Sequence, residues 1–270
     1  MADTPRSFAR KSIRATGKPT SLMDEPPNLK GVWQAHVVTL FPECFPGVLG
    51  ASLTGKALQE GLWQLHTHDL CAHGVGKHRN VDDTPAGGGA GMVLRADVVA
   101  EAVRAARGPA QGPTKGPTKG PILYMSPRGR PFDQAMARDF ARQDGLTILC
   151  GRFEGVDERA IEALEMIEVS VGDFVMTGGE IAAQAVLDAT VRLIPGVLGN
   201  AASTEEESHA NGLLEHPQYT RPATWEGRAI PDVLMSGHHG DIAKWRRAQS
   251  EALTQTRRPD LWARWKDSPK

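Results

Sequence analysis

The feature that most constrains this chain is an alternation running from residue 121 to residue 194. PILYMS reads as a strand, PRGR as a loop, and FDQAMARDFARQ as a helix with Phe132, Met136 and Phe140 at i, i+4 and i+8. LTILC, GRFEG and VDERAIEALEM repeat the order. IEVSV, GDFVMTGG and EIAAQAVLDATVRLI repeat it again, with Pro195-Gly196 ending the last helix. Parallel strands need long crossovers, and helices supply them, so three strand–loop–helix units predict a parallel sheet with helices packed on it.

In an open parallel sheet the loops after the strands gather at the carboxyl edge, where ligands bind. Here those loops are Pro127-Arg128-Gly129, Gly151 to Gly155, and Gly172-Asp173 through Gly178-Gly179. The glycines admit two readings: tight connections, or backbone laid open to a ligand. None of the loops matches GxGxxG or GxxxxGK[ST], which disfavours a dinucleotide or a nucleoside triphosphate. A ligand read by backbone donors and acceptors, such as adenine, is still allowed. Thr177-Gly-Gly-Glu180 matches a capping box. Thr177 is expected to accept from the Glu180 amide, and Glu180 to reach back.

The rest of the chain divides by composition. Residues 1–31 carry prolines and charge without a period, as a disordered extension does; the Arg and Ser content also fits a transit peptide. His36–Pro42 reads as a first strand, Leu53–Leu70 as a helix and then a strand, Asp82–Met92 as a long Gly-rich loop, and VVAEAVRAARG as a helix stopping at Gly108. Residues 108–121 hold a period-four GPTK insert, which reads as an exposed, linker-like loop. Residues 32–200 would form the α/β domain and 201–212 a polar linker. Residues 213–270 would form a small helical domain, with an amphipathic helix over 241–255 and a short last helix after TRRPDL.

That last domain is locally basic, and Trp225, Trp245, Trp262 and Trp265 lie among its arginines and lysines. They read either as core plus a solvated charged face, or as a surface for nucleic-acid phosphates. The net charge of the whole chain, -1, decides nothing here. Cys44, Cys71 and Cys150 are far apart with no zinc spacing, so they are expected as free thiols in a reducing cytosol. No apolar run reaches the roughly 20 residues of a membrane helix.

Several strings, in order, are similar to one family: LFPE, VDDTPAGGGAGM, YMSPRG, LCGRFEGVDER, EVSVGDFVMTGGE, RLIPGVLG, GLLEHPQYTRP, VLMSGHHGDIAKWR and TRRPDL. Over about residues 33–262 the chain resembles the bacterial tRNA (guanine-N1)-methyltransferase (TrmD) family of the knotted SPOUT class. The tail and the GPTK insert fall outside the resemblance. It implies a deep trefoil-knotted parallel sheet flanked by helices, a small C-terminal α-helical domain that helps grip tRNA, and a homodimer with its site at the interface. It implies S-adenosyl-L-methionine as methyl donor, with magnesium at an unknown position. The substrate implied is guanine-37, next to the anticodon, in tRNAs with guanine at 36.

The resemblance assigns the donor pocket to Tyr124, Met125, Ser126, Pro127, Gly129, Gly151, Glu154, Ser170, Val171, Gly172, Asp173, Phe174, Val175, Met176, Gly178 and Gly179. Met125 stands where leucine is more usual. Glu154 is linked to substrate binding and to the magnesium requirement. Glu207, where better-known relatives have aspartate, is the implied base at guanine N1, and Arg192 the cation at O6. On the residues alone, Asp173 reads as a structural acid bonding loop amides or a substrate contact rather than a base, Asp82 and Asp83 as braces for the glycine loop, where the resemblance adds guanine or tRNA contacts, and Arg192 as a helix C-terminal cation. Glu205–Glu207 reads as solvated linker. His238-His239 suggests metal only weakly. Two rivals remain: a knotted methyltransferase acting on a ribose hydroxyl or another base, and a non-catalytic RNA-binding protein with a vestigial pocket.

Overall fold

A computed structural model describes residues 31–108, 120–198, 208–209 and 212–267. The N-terminal extension, most of the GPTK insert, most of the linker and Glu207 lie outside the described residues.

Five parallel strands form the central sheet: β1 (Trp33–Thr39), β2 (Trp63–Asp69), β5 (Ile122–Pro131), β6 (Gly145–Cys150) and β7 (Ile167–Ser170), in the order β2-β1-β6-β5-β7. The parallel sheet expected from the alternation is therefore present. A small antiparallel pair, β3 (Asp82–Asp83) with β4 (Val93–Leu94), narrows the expected glycine loop at its base. β6 is buried at every residue, as a central strand covered on both faces must be, which is why GLTILC reads as a continuous apolar run.

Alternate side chains build two cores. Ala35, Val37, Leu123, Met125, Ile148 and Cys150 face α1 (Ser52–Gln59), α3 (Gln134–Ala141) and α5 (Glu180–Val191). Val38, Tyr124 and Leu149 face α2 (Ala96–Arg107) and α4 (Glu158–Ala163). Capping fixes the helix starts. The Asp133 side chain accepts from Met136 N ahead of α3, and Asp157 from Arg159 N ahead of α4. Phe132 therefore precedes its helix, yet its ring still stacks on Phe140 at 6.4 Å.

Several expected boundaries move. β1 starts at Trp33, whose ring is buried and whose Nε1 donates to Phe140 O, and it ends before Pro42 because Thr39 Oγ1 accepts from Phe41 N and turns the chain. α5 ends at Val191 rather than at Pro195, with turns closing onto Thr190 and Val191. A helical residue before proline is disfavoured, so the helix stops early. β5 does not end at Ser126: Met125 and Arg130 both pair with Val169, so Ser126–Gly129 loop out of a strand that resumes at Arg130.

Downstream lie a hairpin, β8 (Thr224–Trp225) with β9 (Arg228–Ala229), then α6 (Asp232–Met235), α7 (His239–Arg257) and α8 (Pro259–Asp267). The TRRPDL loop shrinks to Arg258, since Pro259 is acceptable at a helix start. The buried Thr254 Oγ1 accepts from Leu214 N, docking the start of this segment on α7. Its tryptophans are not a core: Trp225 is 56% exposed, and Trp262 stacks on Trp265 beside Lys266 and Arg247. No described helix is long and apolar enough to cross a membrane. The three cysteines are free.

One buried polar cluster sits at the β1–β2 edge. His36 lies opposite His66 in register, with rings stacked at 4.7 Å, and His36 Nδ1 is 3.0 Å from His68 Nε2. His36 Nε2 approaches Gln34 Oε1, which can only accept, so Nε2 donates there and Nδ1 accepts from His68. Burial, then the neighbouring imidazoles, lower the His36 pKa to about 4. The unfolded chain protonates His36 near pH 6.5, so between these values it holds more protons than the folded one. Stability should be intact above about pH 6.5 and decline, by on the order of 2 kcal/mol, as pH falls toward about 4. Urea unfolding across this range checks it. His36→Gln should flatten the slope, and an unchanged slope would contradict the assignment.

Candidate active site

Three loops meet beyond the carboxyl ends of β5, β6 and β7 and enclose a cavity of about 310 Å³. Close backbone packing creates it. Gly179 N donates to Gly151 O at 3.0 Å, and a Cβ on Gly179 would lie 2.9 Å from Cys150 Cα. A Cβ on Gly151 would lie 2.6 Å from the Tyr124 ring. Only glycine allows this approach. The loops are tight connections, and their tightness leaves backbone lining a cavity.

An ion pair pins the junction. Glu180, the first residue of α5, is 3% exposed, and its Oε1 accepts from Thr39 Oγ1 at 2.7 Å. Arg152 Nη2 lies 2.8 Å from Glu180 Oε2, close enough for an ion pair though not aligned as a hydrogen bond. Arg152 Nη1 donates to Thr177 O, and its guanidinium lies 4.4 Å above the Phe41 ring. The expected capping box does not form: the N-cap is Gly179, without a side-chain cap bond. A buried carboxylate needs a cation more than it needs a backbone amide, so Arg152 claims Glu180.

Most sequence-expected pocket residues line this cavity: Tyr124, Met125, Ser126, Pro127, Gly151, Glu154, Ser170, Val171, Gly172, Phe174, Val175, Met176, Gly178 and Gly179. Gly129 and Asp173 do not. A Cβ on Gly129 would meet Val169 N at 2.4 Å, so this glycine serves the return of β5 onto β7. Asp173 is exposed, and the loop bonds expected of it are made instead by Ser170, whose Oγ donates to Gly172 O and accepts from Gly172 N. Arg192 caps the far end of α5. At 1.5 Å per residue that is about 18 Å from the helix start at the cavity. Asp83 accepts from Thr84 N and lies 3.6 Å from Arg95, consistent with bracing.

Arg128, Arg152, Phe153 and Thr177 also line the cavity, beyond the residues expected from the sequence. Arg152 carried a signal, as the cation between two glycines of GRFEG. Arg128 is held at the rim by Glu168, at 2.8 and 3.0 Å, and by Glu158. Tyr124 keeps its proton: burial, then the Glu168 charge, push the phenol up. Burial likewise raises the Cys150 thiol, which stays protonated in the apolar core behind the cavity. Among the described residues, no group of three or more His, Cys, Asp or Glu is placed to hold a metal ion, His238 and His239 included.

A parallel α/β fold with a glycine-built pocket at its carboxyl rim, and no phosphate-binding fingerprint, has the form of a small-ligand site lined by backbone. Comparison with known proteins narrows the class. The family model described as tRNA (Guanine-1)-methyltransferase TrmD matches residues 33–264. The chain is 75% identical over 235 residues to a tRNA (guanine-N(1)-)-methyltransferase of Roseobacter denitrificans, covering 87% of this chain and 95% of that one. It is 69% identical over 242 residues to a protein of that name from Ruegeria pomeroyi, covering 90% and 97%. A third of that name, from Bartonella tribocorum, is 59% identical over 233 residues, covering 86% and 96%. The chain belongs to the tRNA (guanine-1)-methyltransferase TrmD family, and is an enzyme of the methyltransferase class.

Glu180→Ala would leave the Arg152 charge without its partner beside the cavity. Loss of one partner of a buried pair costs roughly 3 kcal/mol or more, and partial exposure of Arg152 places this case near the lower end. Urea unfolding should show a loss of about 2–3 kcal/mol, and an unchanged midpoint would remove the clasp from the account.

Proposed function

We propose that the protein transfers the methyl group of S-adenosyl-L-methionine to N1 of guanine-37 in tRNAs with guanine at position 36. The observation that carries this is the glycine-built cavity at the β5–β7 rim, in a chain whose family and relatives are named for methylation of guanine N1 in tRNA. The cavity lies at the lower end of the usual ligand-pocket range of about 300–1,000 Å³. Its walls suit an adenosine: backbone amides and carbonyls of the 151–155 and 170–179 loops for the ring edge, and apolar Met125, Val171 and Met176 for its faces. When bound, the sulfonium donor supplies an electrophilic methyl carbon.

The chain's own residues have three tasks. N1 of neutral guanine carries a proton, which Glu207 accepts as the N1–carbon bond forms and the sulfur–carbon bond breaks, its electron pair passing to sulfur. Arg192 offsets the negative charge that gathers at O6. The clasped loops hold the donor and exclude water. Glu207 lies outside the described residues, but the next residue is anchored: Ser208 Oγ accepts from Glu215 N at 3.0 Å. Its side chain is one methylene longer than the aspartate of relatives, with a similar pKa.

The distance along α5 between the cavity and Arg192 supports a homodimer, in which Arg192 and Glu207 of one subunit complete the pocket of the other. So does apolar surface beside the cavity, where Phe153, Phe174, Val175 and Ile181 are each more than half exposed. The trefoil knot, the separate C-terminal tRNA-binding domain after a 201–212 linker, and a cytoplasmic location belong to the same proposal. Magnesium has no ligand set among the described residues. It would act through the RNA phosphates and one or two carboxylates, as this ion commonly does, with Glu154 at the cavity wall as the candidate.

Labelled donor and tRNA transcripts with guanine or adenine at position 37 test the reaction. Only the guanine transcript should gain label, recovered as 1-methylguanosine; label on both, or on ribose, would overturn it. Glu207→Ala should slow transfer about 10²- to 10³-fold with donor affinity unchanged, and Glu207→Asp should retain most activity. A parallel loss of donor binding would remove Glu207 from the base role.

A further inference from the structure

Among the described residues, three charged side chains line the glycine-built cavity: Arg128, Arg152 and Glu154. Arg152 is committed to the clasp, through Glu180 and Thr177 O. Glu154 is an acid and no partner for an anion. Arg128 is the cation left to meet a ligand, and the methyl-transfer scheme gives it no task.

Its guanidinium is held along one edge. Nε donates to Glu168 Oε2 at 2.8 Å, and Nη2 donates to Glu168 Oε1 at 3.0 Å and to Glu158 Oε2. Both anchors sit on regular elements: Glu168 lies opposite Tyr124 in register on β7, and Glu158 is the first residue of α4. The looped-out Ser126–Gly129 segment carries Arg128 to the rim. The two N–H groups of Nη1 meet no acceptor among the described residues. A guanidinium gripped by a carboxylate fork keeps its charge and its direction, so its remaining donors are preset for a further oxygen acceptor.

The chemistry of that acceptor is constrained. Glu158 and Glu168 together outnumber Arg128, so the cluster has no long-range pull on an anion. What it offers is short and directional, a pair of N–H groups at the mouth of a pocket. In the proposed donor the adenosine is neutral, and the sulfonium and α-ammonium are cations. The α-carboxylate is the donor's one anionic group. It lies at the opposite end of the molecule from adenine, so an adenosine set among the glycine loops leaves the carboxylate for the rim.

We propose that Arg128 selects the methyl donor by taking its α-carboxylate at Nη1, with Glu168 and Glu158 as the positioning residues that aim the guanidinium. The proposal rests on the reading that this cavity is the methyl-donor site.

The test is calorimetry on the full chain without RNA, using S-adenosyl-L-methionine and its decarboxylated analogue, which differ in the carboxylate. The parent should prefer the carboxylated donor about fivefold, the upper end of what an exposed charge pair gives. Arg128→Gln should abolish that preference. It should bind the decarboxylated analogue no more weakly than the parent does, which also reports an intact pocket. Glu168→Gln separates aim from net charge. It removes a negative charge, yet it should weaken binding of the carboxylated donor about twofold, because Arg128 loses its fork. Tighter binding in Glu168→Gln would overturn the positioning role. Equal affinity of the parent for the two ligands would overturn the proposal and leave the donor site standing. So would an equal loss for both ligands in Arg128→Gln, which would make Arg128 a support for the loop. A parent that binds neither ligand would remove the donor reading and this inference with it.

Discussion

The site depends on one contact: the start of α5 pressed against the end of β6. Gly179 donates to Gly151 O, and no side chain could occupy either position without pushing the two backbones apart. The contact brings the 170–179 loop over the 151–155 loop, and the cavity is the space left between them and the looped-out segment of β5. Glu180 and Arg152 lock it from beneath, with Thr39 adding the end of β1. Four separate chain segments are thus fixed by a few short contacts. Removing the carboxylate would leave a cation beside an apolar core, which makes the arrangement costly to disturb.

The division of labour follows from this rigidity. A pocket read by backbone atoms requires that the backbone not move, and loops of this glycine content would be mobile if left unpinned. Of the proposed catalytic groups, Arg192 stands apart from the clasp, at the far end of α5. On the proposed reading, a donor site held by fixed backbone, with its acid and cation supplied by other segments, suits an enzyme whose second substrate is a large RNA, because assembly of the site can then follow RNA binding.

Much of this was legible in the sequence, and the failures have physical causes. The alternation over 121–194 yields the parallel sheet because each strand and helix carries its own period. The three glycine loops converge as expected because topology alone places them at one rim. Two differences concern residues whose partners are distant in sequence. Glu180 matches a local cap, but Arg152, 28 residues earlier, takes it. Gly129 sits within a string assigned to the donor, yet its lack of a side chain answers to the Val169 backbone across the sheet. The looped-out Ser126–Gly129 segment was also hidden, since nothing in PRGR says that pairing resumes at Arg130 with the partner Met125 already uses. The tryptophans of the C-terminal segment were ambiguous for a similar reason: composition cannot tell core from exposed aromatic surface.

The central claim is that the glycine-built cavity is the methyl-donor site, and a crystal structure of the protein with S-adenosyl-L-methionine tests it most directly. The account predicts density for the donor between the 124–127, 151–155 and 170–179 segments, its adenine edge bonded to backbone atoms, with the Arg152–Glu180 pair intact. Donor density elsewhere on the protein, with that cavity closed or empty at saturating donor, would contradict it.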